Sequence, residues 1–203
     1  MLVVVLALLT TSVQAATVVF SGASSGNGVS LLFDPAASVQ VGDTLQVGLD
    51  AFTASSTNGI PALPVDNFSV TITALPGFLI TSLDYSEIYN YTVAAGGVAG
   101  ITLTGVLDGS TPLNPSGAFF TGGSGNNVGI SLDTFNFGAG VTAVNFSISN
   151  TLIAFSPGAG TTTISKSAAT LMIGTTPIPL PPAVGLLGAA LVGLVTVGAR
   201  RRN

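Results

Sequence analysis

Apolar and polar residues alternate with a period of two in segment after segment of this 203-residue chain. Nothing outside the C-terminal tail sustains the 3.6-residue repeat of an amphipathic helix, so the ordered part is expected to be built from strands. Leu45, Val47, Leu49 and Ala51 share one face against Thr44, Gln46, Gly48 and Asp50. Phe68, Val70, Ile72 and Ala74 alternate with Ser69, Thr71 and Thr73, and Ile101 and Leu103 with Thr102 and Thr104. Val128, Ile130 and Leu132 form a further set, as do Val144, Phe146 and Ile148, and Ala169, Leu171 and Ile173. Turn residues punctuate these runs at Val41-Gly42-Asp43, Asn58-Gly59, Leu75-Pro76-Gly77, Asp108-Gly109, Gly122–Asn127 and Pro157–Gly160. About eight or nine short strands with polar outer faces predict an all-β fold, an antiparallel β-sandwich spanning residues 16–176.

The side-chain inventory narrows the chemistry. The chain has no His and no Cys, which removes the commonest general bases, the thiol nucleophile and the usual transition-metal ligands. Eight carboxylates between residues 16 and 176 face one cation, Lys166, so phosphate neutralisation and nucleic acid are excluded. No metal site and no cofactor is expected. A Ser–Lys arrangement would rest wholly on Lys166. Asp84 and Glu87 are the sole close acid pair, whose bland reading is solvated turn residues and whose sharp one is glycoside hydrolysis. Gly122–Asn127 is similar to a single G-G-x-G-x-D calcium repeat with Asn127 in the Asp position, and reads as a flexible hairpin loop. The segment Asp84–Tyr91 holds every tyrosine and the only glutamate. Tyr89 and Tyr91 would share a strand face. With Tyr85 and Glu87 they could form a carbohydrate-binding or adhesin surface, or else bury their rings in the sandwich.

The two ends read as addresses. Met1–Ala15 has an apolar stretch, Leu2–Leu9, and small residues at Val13 and Ala15, the pattern of a secretory signal cleaved before Ala16. No Lys or Arg precedes the apolar stretch. With no cysteine, the exported fold would have to rest on its core. At the other end stand a proline motif at 177–182, an uncharged stretch Ala183–Ala199, and Arg200, Arg201, Arg202 and Asn203. A helix over Ala183–Ala199 spans about 26 Å, just under a hydrocarbon core of roughly 30 Å, and Pro181 and Pro182 as its first turn narrow the gap. The arginines act as a membrane stop and keep the C-terminus cytoplasmic, with everything before Pro177 outside.

This tail resembles the C-terminal sorting signals of exosortase substrates, the PEP-CTERM group, and most closely the variant reading V-P-L-P-A. The matching residues are Ile178, Pro179, Leu180, Pro181 and Pro182, with Ala183 following. Ile178 stands for Val and Pro182 intervenes. The resemblance implies an exported, non-enzymatic surface protein, held briefly in the bilayer and processed by an exosortase-type membrane transpeptidase. It also implies delivery to the cell surface or matrix and an association with exopolysaccharide. Separately, Val39–Val47 resembles the opening hairpin of cohesin-like and other bacterial Ig-like modules, with Gly42-Asp43 at the turn.

Overall fold

The structure, a computed structural model, describes residues 15–26, 33–50 and 52–179. Val13, Ala51, Leu180, Pro181, Pro182, the apolar stretch Ala183–Ala199 and Arg200–Arg202 lie outside them. Among the described residues no helix is long and apolar enough to cross a membrane.

Among the described residues thirteen strands form two antiparallel sheets, more than the eight or nine expected, because several edge strands are short and carry no alternation of their own. In chain order they are β1 (Val18–Ser25), β2 (Phe33–Val41), β3 (Thr44–Leu49), β4 (Thr53–Thr57), β5 (Val65–Ala74), β6 (Phe78–Val93) and β7 (Val98–Leu107). There follow β8 (Thr111–Pro112), β9 (Ser116–Phe120), β10 (Gly123–Ser131), β11 (Phe135–Val141), β12 (Ala143–Phe155) and β13 (Thr161–Pro177). The first sheet runs β1-β5-β12-β7-β8, with β9 also on β7. The second runs β10-β6-β13-β3-β2, with β11 also on β6 and β4 on β13.

Each of the six alternating runs contributes to a strand, and most of their described apolar members face the space between the sheets; Leu132 is buried just past the end of β10. Phe68, Val70 and Ile72 of β5 and Val144, Phe146 and Ile148 of β12 are buried from one side. Leu45 and Val47 of β3 and Ala169, Leu171 and Ile173 of β13 are buried from the other. Burying this much aliphatic and aromatic surface is what holds a chain without disulfides.

Local chemistry sets the turns. The β2–β3 hairpin forms where the Val39–Val47 pattern places it, with Val41 opposite Thr44, Gln40 opposite Leu45 and Val39 opposite Gln46. Gly42 takes a positive φ of 59° at the first central position, as a type II′ turn requires. Earlier in β2 the register breaks between Asp34 and Val39, and the Asp34 carboxylate accepts the Ala36 and Ala37 amides at 3.0 and 3.2 Å. That loop folds against Gly48, where a Cβ would collide with the Asp34 carbonyl oxygen. One expected loop is absent: Gly123–Asn127 belongs to β10, which pairs with β6 through an irregularity between Gly125 and Val128. β-Bulges accommodate such glycine-rich runs without breaking the ladder.

Two bulges decide which side chains of the longest strands face inward. β13 skips Ser167, since Lys166 lies opposite Tyr89 and Ala168 opposite Ile88. β6 skips Thr81, since Gly174 pairs with Ser82 and Thr175 with Ile80. Because side chains alternate, each extra residue reverses the inward phase. Thr162, Ile164 and Lys166 therefore share the inner face with Ala169, Leu171 and Ile173.

Candidate functional site

The inward phase of four central strands carries polar residues at one level of the sandwich. In the first sheet Asp66 of β5 and Asn150 of β12 are direct cross-strand partners, each continuing a run of inward apolar residues. From the second sheet Tyr85, Glu87 and Tyr89 of β6 point in, and the bulge at Ser167 turns Lys166 of β13 towards them. All six are buried.

Glu87 is the hub. Lys166 Nζ lies 2.6 Å from its Oε1, with both side chains sealed from solvent. The Tyr85 hydroxyl donates to the same oxygen. Asn150 Nδ2 donates to the other oxygen, Oε2, at 2.5 Å and to the Tyr89 hydroxyl at 2.9 Å. The Lys166 nitrogen also sits 4.0 Å from the Phe33 ring centroid and 4.2 Å from that of Phe52, within cation–π range. Those two rings meet edge to face with centroids 5.2 Å apart. Asp66 binds the Phe33 amide at 2.9 Å and adds its field to that of Glu87 at Lys166. Asn150 Oδ1 is the one buried side-chain polar atom among the described residues without a hydrogen-bond partner.

Burial drives the protonation equilibria towards neutral forms. Desolvation lowers the Lys166 pKa to about 8, against the pull of Glu87 and Asp66. Desolvation raises that of Glu87, and it outweighs the opposing Lys166 charge and the hydrogen bonds from Lys166, Tyr85 and Asn150. Tyr85 is pushed up by burial and then by the neighbouring carboxylate. Both shifts act in the same sense, weakening the charged pair relative to its neutral counterpart.

This placement decides between the two readings of the tyrosines and corrects that of the acid pair. Tyr85, Glu87 and Tyr89 do not form a surface platform, because rings and hydroxyls alike lie between the sheets. Tyr91 shares their face, as its spacing predicts, and is half-buried with its ring stacked on Phe120 at 3.9 Å. Asp84 and Glu87 are neither turn residues nor a catalytic pair. An odd spacing within β6 sends them to opposite faces, and Asp84 accepts a hydrogen bond from Thr134 on the outside. No group of three or more potential metal ligands occurs among the described residues.

The boundary residues occupy one end of the sandwich. Ala15 is exposed and Ala16 half-buried. Thr17 donates to Asp43 through its amide at 2.6 Å and its hydroxyl at 2.5 Å, and Val18 adds an amide bond to the same carboxylate at 3.2 Å. The Thr17 hydroxyl also lies 2.7 Å from that of Thr175 near the end of β13. Ile178 donates its amide to the Gly77 carbonyl at 2.8 Å and is partly exposed, and Pro179 is exposed.

No family model and no curated protein matches the chain. Among solved structures it is distantly similar to a mutant VP2 protein of infectious bursal disease virus, at 12% identity and a TM-score of 0.30. That alignment covers 64% of this chain and 34% of the viral one, so the chain spans about a third of its length. TmCBM61 in complex with β-1,4-galactotriose aligns at 10% identity and a TM-score of 0.30, over 80% of this chain and 92% of that one. The arabinose-bound MgGH51 α-L-arabinofuranosidase aligns at 14% identity and a TM-score of 0.25, over 78% and 23%. At these scores no functional conclusion rests on them.

Proposed function

We propose that this chain is an exported surface protein, tethered briefly through its C-terminal segment and processed there by an exosortase-type transpeptidase. Its sandwich is then displayed or released as a structural or adhesive module of the broad Ig-like, cohesin-like kind, with exopolysaccharide as its expected surroundings. The reading rests on the tail residues Ile178 to Pro182 and Arg200 to Arg202. One structural observation supports it: the described strands open at Val18, just after the expected leader, and close at Pro177, the first residue of the expected sorting motif. Both boundaries stand at the same end, so a membrane at that end could engage either without threading past the domain.

Fractionation of cells with and without the sorting enzyme tests this, combined with the intact mass of the mature protein. The expected result is loss of residues beyond the motif only where the enzyme is present. An unchanged full-length membrane band in both strains would refute the reading.

A further inference from the structure

The Lys166–Glu87–Asn150 cluster has the parts of a reaction centre as well as of a structural ion pair. One carboxyl group bridges an amine at one oxygen and a carboxamide at the other, at 2.6 and 2.5 Å. Aromatic rings wall the amine, and the three groups come from three different strands and both sheets. All three residues are buried, so the electrophile that suits the amine is one that the protein itself supplies. The acyl group held on the same carboxyl is the Asn150 amide.

We infer that Lys166 and Asn150 condense into an intramolecular amide crosslink, with Glu87 as the proton-transfer residue, stapling β13 of one sheet to β12 of the other. Glu87 first takes a proton from the Lys166 ammonium. The freed lone pair attacks Asn150 Cγ, and the carbonyl π electrons move onto Oδ1. Glu87 hands its proton to Nδ2, which lies against its second oxygen. The Cγ–Nδ2 bond then breaks, its electron pair leaving with the nitrogen as ammonia, while the carbonyl reforms. The surplus proton on Nζ passes to Glu87. One C–N bond forms and one breaks, nothing is oxidised or reduced, and no co-reactant is needed.

The surroundings suit each step. Burial favours the neutral amine, which is the nucleophile, and a protonated carboxyl able to donate. Fixing amine and amide on one carboxyl replaces a bimolecular encounter, and excluding water suppresses hydrolysis of the amide. Asn150 Oδ1, without a partner, marks an amide that hydrogen bonding alone leaves incomplete. The inference stands on the sandwich interior and does not depend on the sorting reading.

The test is the intact mass of the purified, folded full chain, followed by tandem mass spectrometry of a digest. The expected mass is lower than the sequence mass by one ammonia, with a branched peptide joining the segments around Lys166 and Asn150. Lys166→Met, Asn150→Ala and Glu87→Gln proteins should each carry the unmodified mass. An unmodified mass in folded wild-type protein overturns the inference. So does loss of water, which would point to a carboxylate as acyl donor, or unimpaired crosslinking in Glu87→Gln. A succinimide at Asn58-Gly59 loses the same ammonia but yields no branched peptide, so that outcome also counts against the crosslink. The wild-type measurement decides even where a variant fails to fold.

Discussion

At the scale of single residues, Lys166 and Glu87 are the only lysine and the only glutamate in the chain, and both are spent in the interior. Burying two charges is costly, and their attraction offsets that cost only while each keeps the other. Lys166→Met leaves Glu87 enclosed beside Tyr85 and Asn150 with no cation. We expect a loss of about 3–5 kcal/mol in urea unfolding, and partial recovery when Glu87→Leu is added to fill the space with apolar atoms. A single Lys166→Met protein as stable as wild type would show that the pair contributes nothing. The aromatic wall of Phe33 and Phe52 gives the ammonium a polarisable face in place of water, so the site tolerates a cation without opening to solvent.

At the scale of elements, β13 shows how one extra residue chooses an interior. Its N-terminal half faces inward on even numbers and its C-terminal half on odd numbers, and Ser167 is the hinge between them, its hydroxyl donating to the Ile88 carbonyl at 3.1 Å. Deleting Ser167 forces one half to expose its apolar set. The expected outcome is loss of a cooperative thermal transition by circular dichroism, whereas a wild-type melting temperature would refute the role of the bulge. The same bulge explains what the amino-acid sequence hides. The strands at Leu45, Phe68, Ile101, Val144 and Leu171 are legible because alternation reports burial on one face. Continued backwards from Ala169, that alternation assigns Lys166 to solvent, and only the bulge reverses it. Glu87 is hard to place for a related reason, since an acid three residues from Asp84 suggests a turn until its phase with Tyr85 and Tyr89 is taken into account. Asp66 and Asn150 left a clearer trace: each sits in phase with buried neighbours, Phe68 and Ile148, where a polar residue needs partners. The short strands β8 and β9 could not be read because they form only by leaning on β7.

At the scale of the whole molecule, the first and last strands belong to different sheets yet start and finish together. Asp43 gathers the Thr17 and Val18 amides, while its own carbonyl accepts the Ile173 amide at 3.0 Å, so one hairpin turn ties both boundaries. A Thr17→Cys/Thr175→Cys protein is expected to form a disulfide on mild oxidation with no loss of stability. Persistence of two free thiols in a thiol assay would contradict this juxtaposition. At the opposite end, the turns at Asn58-Gly59, Ala94–Gly97 and Pro157–Gly160 gather, the first and last joined by the Asn58 amide on the Gly158 carbonyl at 3.0 Å. The seventeen residues of β13 set these two poles roughly 50 Å apart. A leash fastened beyond Pro177 would stand the sandwich upright, with its freshly trimmed start at the foot. An epitope inserted at Gly59 should then greet an antibody on intact cells, while one placed ahead of Thr17 stays in the shadow of the bilayer.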